Sequence, residues 1–518
     1  MPPPSIIFIK VEDMKYTKHI AFAAILASLA ACSDDKFSME IPFPEPTENG
    51  GETPEGPTQA SRDELYRPQV HYTPAANWIN DPNGMVYADG VWHLYYQYNP
   101  SGNDWGNMSW GHATSTDLIH WEEKPVAMIR NQWGDIFSGS AILDKDNVAG
   151  FGSNAILAFY TASGERQQQC LAYSTDGGLT YTQYEGNPVI PNSDLPDFRD
   201  PKVFYHPESG KWIMCLALGW DHGIDIWGST NLKSWSKLST FRSSSARSNQ
   251  GQWECPDLVR LPYEGGEKWV LIVSNNPGGP NGGSGTEYFI GDFDGNEFKA
   301  EERDYPLWLD YGSDNYAGVT WSNAPDGRTI MIGWMNNWTY CGNVPCNPWR
   351  SAMTLPRELK LAKVDGQPLL ISKVVDEIAG IAGEWTQANG GVCNGGDAYE
   401  MVVKLDPKEA STFSVGNGVG EYMEIEVKPG AGKIVAKRTS TTGNTSFHGF
   451  FSLPSLASPY DTSLAELELH IFVDDSSVEI LSADGSAVIT ALVFPSIPYD
   501  RINGAENVSY RALKSIWK

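Results

Sequence analysis

The chain has 518 residues, more than one hydrophobic core usually organises, so two domains are expected. Its formal net charge of −27 repels phosphate backbones and anionic membrane surfaces, which argues against nucleic-acid binding. Aromatic residues make up 12% of the chain, and 51 Gly with 34 Pro supply many turns, a composition that favours short strands and an all-β fold.

At the N-terminus, Met14 to His19 is positively charged, and Ile20 to Ala31 is an apolar run too short to cross a bilayer. The pattern predicts an export signal within residues 1–31, with Met14 as an alternative start. Leu29-Ala30-Ala31-Cys32 resembles the lipobox of bacterial lipoproteins, which implies cleavage before Cys32 and its acylation. Ser33-Asp34-Asp35-Lys36 resembles the acidic tags that send some such lipoproteins to the outer surface. The expected location is the outer membrane, cell-surface exposed, with the lipid anchor as the sole membrane contact. Residues 32–60 continue as a tether rich in Pro, Glu, Gly and Thr, with too little apolar surface to fold.

Six further cysteines, Cys170, Cys215, Cys255, Cys341, Cys346 and Cys393, are scattered without C-x-x-C pairs, so no metal site is indicated. Cys341 and Cys346 are near enough in sequence for a disulfide, and buried free thiols account for them equally well.

Between residues 61 and 361 a pattern recurs five times. Apolar strands begin at Trp92, Ile156, Trp212, Trp269 and Ile330, at intervals of 64, 56, 57 and 61 residues. After the first three come similar polar turns followed by an aromatic residue: Ser115-Thr116-Asp117 to Trp121, Ser174-Thr175-Asp176 to Tyr181, and Ser229-Thr230-Asn231 to Trp235. Repeats of about 60 residues holding several short strands predict a five-bladed β-propeller. The spacing then stops. Residues 362–518 are expected to hold a linker, with Leu359 to Val375 as connector, and a C-terminal β-sandwich; alternation in Glu424-Ile425-Glu426-Val427 and from Glu466 to Ile471 predicts strands with one wet face.

Ahead of three apolar strands stands a carboxylate at or beside a proline: Asp81-Pro82, Asp200-Pro201 and Glu254-Cys255-Pro256. Matched positions in successive blades surround one channel, so these acids are expected to converge. The same logic puts Ser138, Asp314 and Tyr316 around that mouth. Convergent carboxylates suit glycosidic hydrolysis, in which one protonates the leaving oxygen and another meets the positive charge on the anomeric carbon.

These residues carry a resemblance. Trp78-Ile79-Asn80-Asp81-Pro82-Asn83-Gly84, Phe198-Arg199-Asp200-Pro201 and Trp253-Glu254-Cys255-Pro256 resemble, in order, the three signature motifs of glycoside hydrolase family 32, which contains invertases, inulinases and levanases. Tyr96 to Pro100, Trp110 to Ala113, Phe137 to Ser140 and Ile471 to Glu479 agree as well. The resemblance implies a retaining hydrolase without metal or organic cofactor, with Asp81 as nucleophile, Glu254 as general acid and base, and Asp200 as transition-state stabiliser. It implies that Asn80, Gln97, Trp105, Ser138 and Arg199 contact the fructosyl unit; an ion pair with Asp200 is a further role for Arg199. Trp110, Trp334 and Trp338 are candidates either for stacking on sugar or for packing between blades. The expected substrate is a fructan polysaccharide or oligosaccharide, and surface anchoring favours internal cleavage of levan (β-2,6) together with association with outer-membrane glycan-uptake proteins. Release of single fructose units, an inverting arabinan or xylan hydrolase on a related five-bladed fold, and a non-catalytic glycan binder are the competing readings.

Overall fold

The computed structural model describes residues 62–517 apart from Ser193, Ala246 and Asp365; the expected export signal, Cys32 and the tether lie outside the described residues. Among the described residues the chain is all-β, consisting of strands joined by turns and short 3-10 segments with no α-helix. Five antiparallel sheets come first. Their opening strands are Asn77–Ala88, Asp135–Asp144, Arg199–His206, Gln252–Tyr263 and Tyr316–Thr320. The five apolar strands read from the sequence are the second strands, such as Ala155–Ser163 and Lys211–Ala217, which pair antiparallel with those openers. Apolar residues on both faces suit strands covered on either side by neighbouring sheets, which is why the periodic signal fell there.

The opening strands lie against one another in chain order, and the fifth packs back on the first. There the Tyr87 amide donates to the Ser322 carbonyl (3.0 Å) and the Ser322 amide to the Met85 carbonyl (3.0 Å). Trp349–Arg350 also returns to the first sheet, pairing in parallel with Asn77 and Trp78. The fifth sheet differs from expectation. Leu359 to Val375 is not a connector, because Arg357–Val364 and Gln367–Val374 pair with each other and extend that sheet from Ile330–Met335.

Each opening strand carries an extra residue near its start. Pairing slips between Ile136 and Gly139, between Arg199 and Lys202, between Glu254 and Asp257, and between Tyr316 and Val319, while Asn77–Ala88 slips twice, after Ile79 and after Asn83. Within four of these bulges the backbone turns left-handed, at Gly84 (φ 53°), Asp200 (φ 64°), Cys255 (φ 47°) and Ala317 (φ 52°). Such φ values are rare for residues other than glycine, and a bulge bends the strand and re-aims its side chains. Pro201 and Pro256 follow two of them, at positions where the missing N–H leaves no ladder bond unmade.

Two further sheets of six and five strands share one core, with Met401, Val403, Leu469 and Ile471 on one side and Phe413, Val415, Ile425 and Leu456 on the other. Tyr422–Lys428 alternates as expected, with Met423, Ile425 and Val427 buried. In Leu467–Asp474 the alternation ends at Ile471, because Phe472 packs into a cluster with Tyr72, Trp92 and Leu355 of the preceding part of the chain. A buried ion network seals this junction. His71 Nδ1 lies 2.7 Å from Asp474 Oδ2 and its Nε2 3.1 Å from Glu479 Oε1, while Arg357 reaches Glu479 (2.7 Å) and Asp310 (2.9 Å).

Burial alone would depress the His71 pKa, but hydrogen bonds and charge from Asp474 and Glu479 raise it from 6.5 to about 9. Since the folded value is the higher one, this stabilisation is complete below pH 6.5 and fades as pH rises through about 9. Replacing His71 by Gln should therefore destabilise the protein by about 3–5 kcal/mol near neutral pH, with the deficit shrinking in alkali. Thermal melts across that range check it, and a deficit constant with pH would mean that His71 contributes packing alone.

Candidate active site

The bulges bring Asp81, Asp200 and Glu254 to one end of the opening strands. Cys255 joins them: its amide donates to Asp200 Oδ2 (2.9 Å), and its sulfur lies 3.5 Å from Asp81 Oδ2 and 3.7 Å from Asp200 Oδ2. The three acids converge, but not from matched positions. Asp200 shares the left-handed bulge position with Gly84, Cys255 and Ala317, whereas Glu254 stands one residue before it and Asp81 three residues before Gly84, in the additional bulge of the first strand. The proline beside each acid thus aligned Asp81 with Asp200 in the sequence, whereas the structure aligns Pro201 with Pro256.

Asp81 accepts from Ser138 Oγ (2.6 Å) and from Asn80 Nδ2 (3.1 Å), and Asn80 is itself fixed by the Trp78 indole N–H (2.7 Å). Burial raises the Asp81 pKa, with the charge of Glu254 adding to it and the Ser138, Asn80 and Cys255 contacts opposing it. Asp200 is raised by burial to about 7; Arg199 pulls it down, while Glu254 and Asp81 push it up. Its amide donates to Thr161 Oγ1 (2.9 Å), which pins the bulge to the second sheet.

Glu254 accepts from Arg199 Nη2 (2.7 Å) and from the Tyr316 hydroxyl. Arg199 also donates to Asp197 (2.6 Å) and to Gln167 (3.2 Å), whereas its approach to Asp200 is only 3.9 Å. The expected Arg199–Asp200 pair is therefore secondary to the pair with Glu254.

Further along the opening strands, three buried residues bond to one another. Lys202 Nζ donates to Asp257 Oδ2 (2.9 Å) and to the Thr320 carbonyl (2.7 Å), and the Thr320 hydroxyl donates to the same Asp257 oxygen (2.8 Å). They come one from each of three opening strands.

The remaining expected residues divide. Gln97 is buried and donates to the Ile136 carbonyl (3.0 Å). Trp105 stands 51% exposed at the rim, edge-on to Phe137. Asp314 is not at the mouth. It is wholly buried and accepts from Tyr340 (2.6 Å), Arg438 and the Leu492 amide (3.0 Å), so it joins the first five sheets to the last two. Tyr316, two residues on, does reach the acids: it opens the Tyr316–Thr320 strand and its hydroxyl donates to Glu254, whereas Asp314 precedes that strand and follows no strand alternation. Trp334 is likewise no sugar platform: it is fully buried against Trp78, Trp338 and Tyr316 and backs the acid pocket from behind. Trp110 is also buried, with its N–H on the Phe137 carbonyl (3.0 Å), and Trp338 is half-buried. Cys341 and Cys346 are buried free thiols.

Sequence reasoning missed Cys255, Asp197, Gln167 and the Lys202–Asp257–Thr320 cluster. Cys255 could have been found from its place inside an acid motif, and Asp197 from standing just before one. Gln167 and Thr320 carry no local signal. Among the described residues no cluster of three or more His, Cys, Asp or Glu is arranged to hold a metal ion.

A carboxylate held by hydroxyl and amide donors, facing a second carboxyl engaged by Arg and Tyr, is the arrangement of a glycosidase. The chain is accordingly a glycoside hydrolase. Residues 71–372 match the glycosyl hydrolases family 32 N-terminal domain and residues 377–515 the family 32 C-terminal domain, so the chain belongs to glycosyl hydrolase family 32. It is 43% identical to the levanase of Bacillus subtilis (strain 168) over 88% of this chain and 71% of that protein. It is 38% identical to an extracellular exo-inulinase of Aspergillus ficuum over 84% of this chain and 90% of that protein. Among solved structures, the exo-inulinase of Aspergillus awamori superposes with a TM-score of 0.80 at 35% identity, covering 88% of this chain and all of that one. The β-fructofuranosidase of Schwanniomyces occidentalis complexed with fructosyl-erythritol gives 0.76 at 32%, covering 88% and 98%.

The pKa of Asp200 yields a test. Because its folded value, about 7, exceeds its ordinary 3.8, the group favours folding fully below the lower value, and that contribution is lost as pH rises through the higher one. Asp200→Asn should raise the melting temperature relative to wild type, more at about pH 8 than at about pH 4, while lowering turnover about a hundredfold or more. Equal melting shifts at both pH values would show that Asp200 carries no buried charge cost.

Proposed function

We propose that this hydrolase cleaves β-fructofuranosyl linkages of fructans with retention of configuration, its first five sheets forming a five-bladed β-propeller and its last two a β-sandwich. The observation that carries this reading is the meeting of Asp81, Asp200 and Glu254 around Cys255. The levanase and exo-inulinase relatives support the substrate class. In the first step an Asp81 oxygen bonds the anomeric carbon as the bond to the bridging oxygen breaks, and the proton of Glu254 passes to that oxygen. In the second, water gives a proton to Glu254 and its oxygen to the anomeric carbon, which frees Asp81 as carboxylate. Asp200 stands beside the ring, where its hydroxyls and developing positive charge would be met.

The exo-inulinase relatives favour release of terminal fructose over the internal cleavage suggested by surface anchoring. Export and anchoring through Cys32 remain part of the proposal on the strength of the Met14 to Cys32 pattern; lipid labelling that persists in a Cys32→Ala variant would remove the anchor.

Digestion of levan and inulin, with the new anomer followed by NMR, tests the mechanism. Single fructose units of retained configuration are expected from the first minutes, and Asp81→Asn should lose about 10⁴-fold or more in turnover. A ladder of oligosaccharides would restore the internal mode; an inverted anomer would sink the ester mechanism.

A further inference from the structure

The turn between the Lys211–Ala217 and Ile224–Ser229 strands lies at the acid end of the third sheet, because Ala217 pairs with Arg199 across the opening strand. It is wedged into the site. Gly219 accepts from the Trp253 amide (3.2 Å), one residue before Glu254, and a Cβ at Gly219 would lie 2.4 Å from the Cβ of Asp197, the partner of Arg199. With φ at 43° and no room for a side chain, this position holds glycine for both reasons.

The next residue, Trp220, is 56% exposed. Nothing about the turn around it is loose. Arg242 holds Asp221 through both the backbone carbonyl and the carboxylate, and His222 Nε2 donates to the Gly251 carbonyl (2.6 Å). Within the turn, the Asp221 amide donates to Leu218 (2.9 Å) and the His222 amide to Gly219 (3.1 Å). The indole is thus kept in water by a pinned backbone, although an apolar ring gains free energy by folding onto a neighbour.

Among the described residues three tryptophans are this exposed: Trp105, Trp220 and Trp385. Trp385 lies under Arg511 on the last two sheets, away from the acids. The other two stand on segments tied to different acids. Trp105 touches Phe137, next to the Ser138 that binds Asp81; Trp220 follows the glycine that binds Trp253, next to Glu254. The proton donor marks the side on which the leaving oxygen departs, and the turn that carries Trp220 is bonded to the strand of that donor.

We propose that Trp220 is a stacking platform for the sugar units that leave with the bridging oxygen, and therefore a determinant of chain-length preference. Pyranose and furanose rings present C–H faces that pack on an indole, and a neutral ligand is indifferent to the strongly negative surface. The platform is rigid, so it binds without the cost of ordering a loop. This inference rests on the fructan reading above.

The test compares kcat/KM on sucrose with kcat/KM on long-chain levan or inulin, whichever the wild type cleaves faster, in wild type, Trp220→Ala and Trp220→Phe. In Trp220→Ala the long-to-short ratio should fall about three- to tenfold, through KM, and Trp220→Phe should recover most of it. An unchanged ratio, a loss equal on both substrates, or a loss in kcat alone would overturn the platform while leaving the fructan reading intact. Wild-type protein that cleaves neither sucrose nor fructan would overturn both.

Discussion

Three carboxylates share a buried space, and one guanidinium faces them. Like charges removed from water raise one another's pKa, so a cluster of this kind needs a compensating cation or it takes up protons. Arg199 supplies it: burial alone would weaken its proton affinity, but Glu254, Asp200 and Asp197 together raise it. The geometry is asymmetric, with Glu254 at 2.7 Å and Asp200 at 3.9 Å. Asp200 is pushed to about 7, chiefly by burial, with Glu254 and Asp81 adding to it and Arg199 opposing. The two acids assigned to bond-making and proton transfer are each gripped by short neutral donors as well, Ser138 and Asn80 on Asp81 and Tyr316 on Glu254, which fix orientation without adding charge.

The same problem recurs deeper in the fold. Lys202 pairs with Asp257 further along the opening strands, and His71 and Arg357 with Asp474, Glu479 and Asp310 form the seam to the last two sheets. Each buried acid cluster has its own buried cation, in a chain that carries 37 basic residues against 64 acidic ones. Basic residues so scarce and yet buried are held where removal of either partner would strand a charge. Other acids of the excess stand at the exposed surface, where water screens them, while Glu287 is buried and burial raises its pKa well above the ordinary value.

How far the sequence was legible follows from this. The repeat was visible because the second strand of each sheet is apolar on both faces, as in Ala155–Ser163, and apolar runs at regular intervals need no tertiary knowledge. Asp81, Asp200 and Glu254 were visible because each stands within two residues of a proline in a strand, where proline signals a bulge. Their offsets were not, because two bulges in Asn77–Ala88 and one in Gln252–Tyr263 change the count of residues along the strand. Asp314 misled for a related reason: it lies two residues from Tyr316 but before its strand begins, and its partners Arg438 and Leu492 are more than a hundred residues away in sequence. Trp334 misled because a buried tryptophan supporting a site and an exposed one facing sugar have the same sequence appearance. The Leu359 to Val375 hairpin was passed over because the fifth sheet takes its outer strands after the long insertion from Asn336 to Ser351.

The left-handed bulge position shows how the chemistry was fitted to a repeated backbone. It is occupied by Gly84, Asp200, Cys255 and Ala317 in four opening strands, at φ values within a few tens of degrees of one another. Only glycine takes that conformation freely; an aspartate, a cysteine and an alanine in it each hold strain that the surrounding pairing must offset. Were the bulges merely structural, glycine would serve at all four. Asp200 there carries a carboxyl to the pocket, and Cys255 there turns its amide and thiol onto Asp200 and Asp81. Ala317 needs no side chain of its own, because its turn directs the preceding Tyr316 to Glu254. The strain is thus common to the sheets while the side chains differ, and the site is made by varying what stands on and before one recurrent kink.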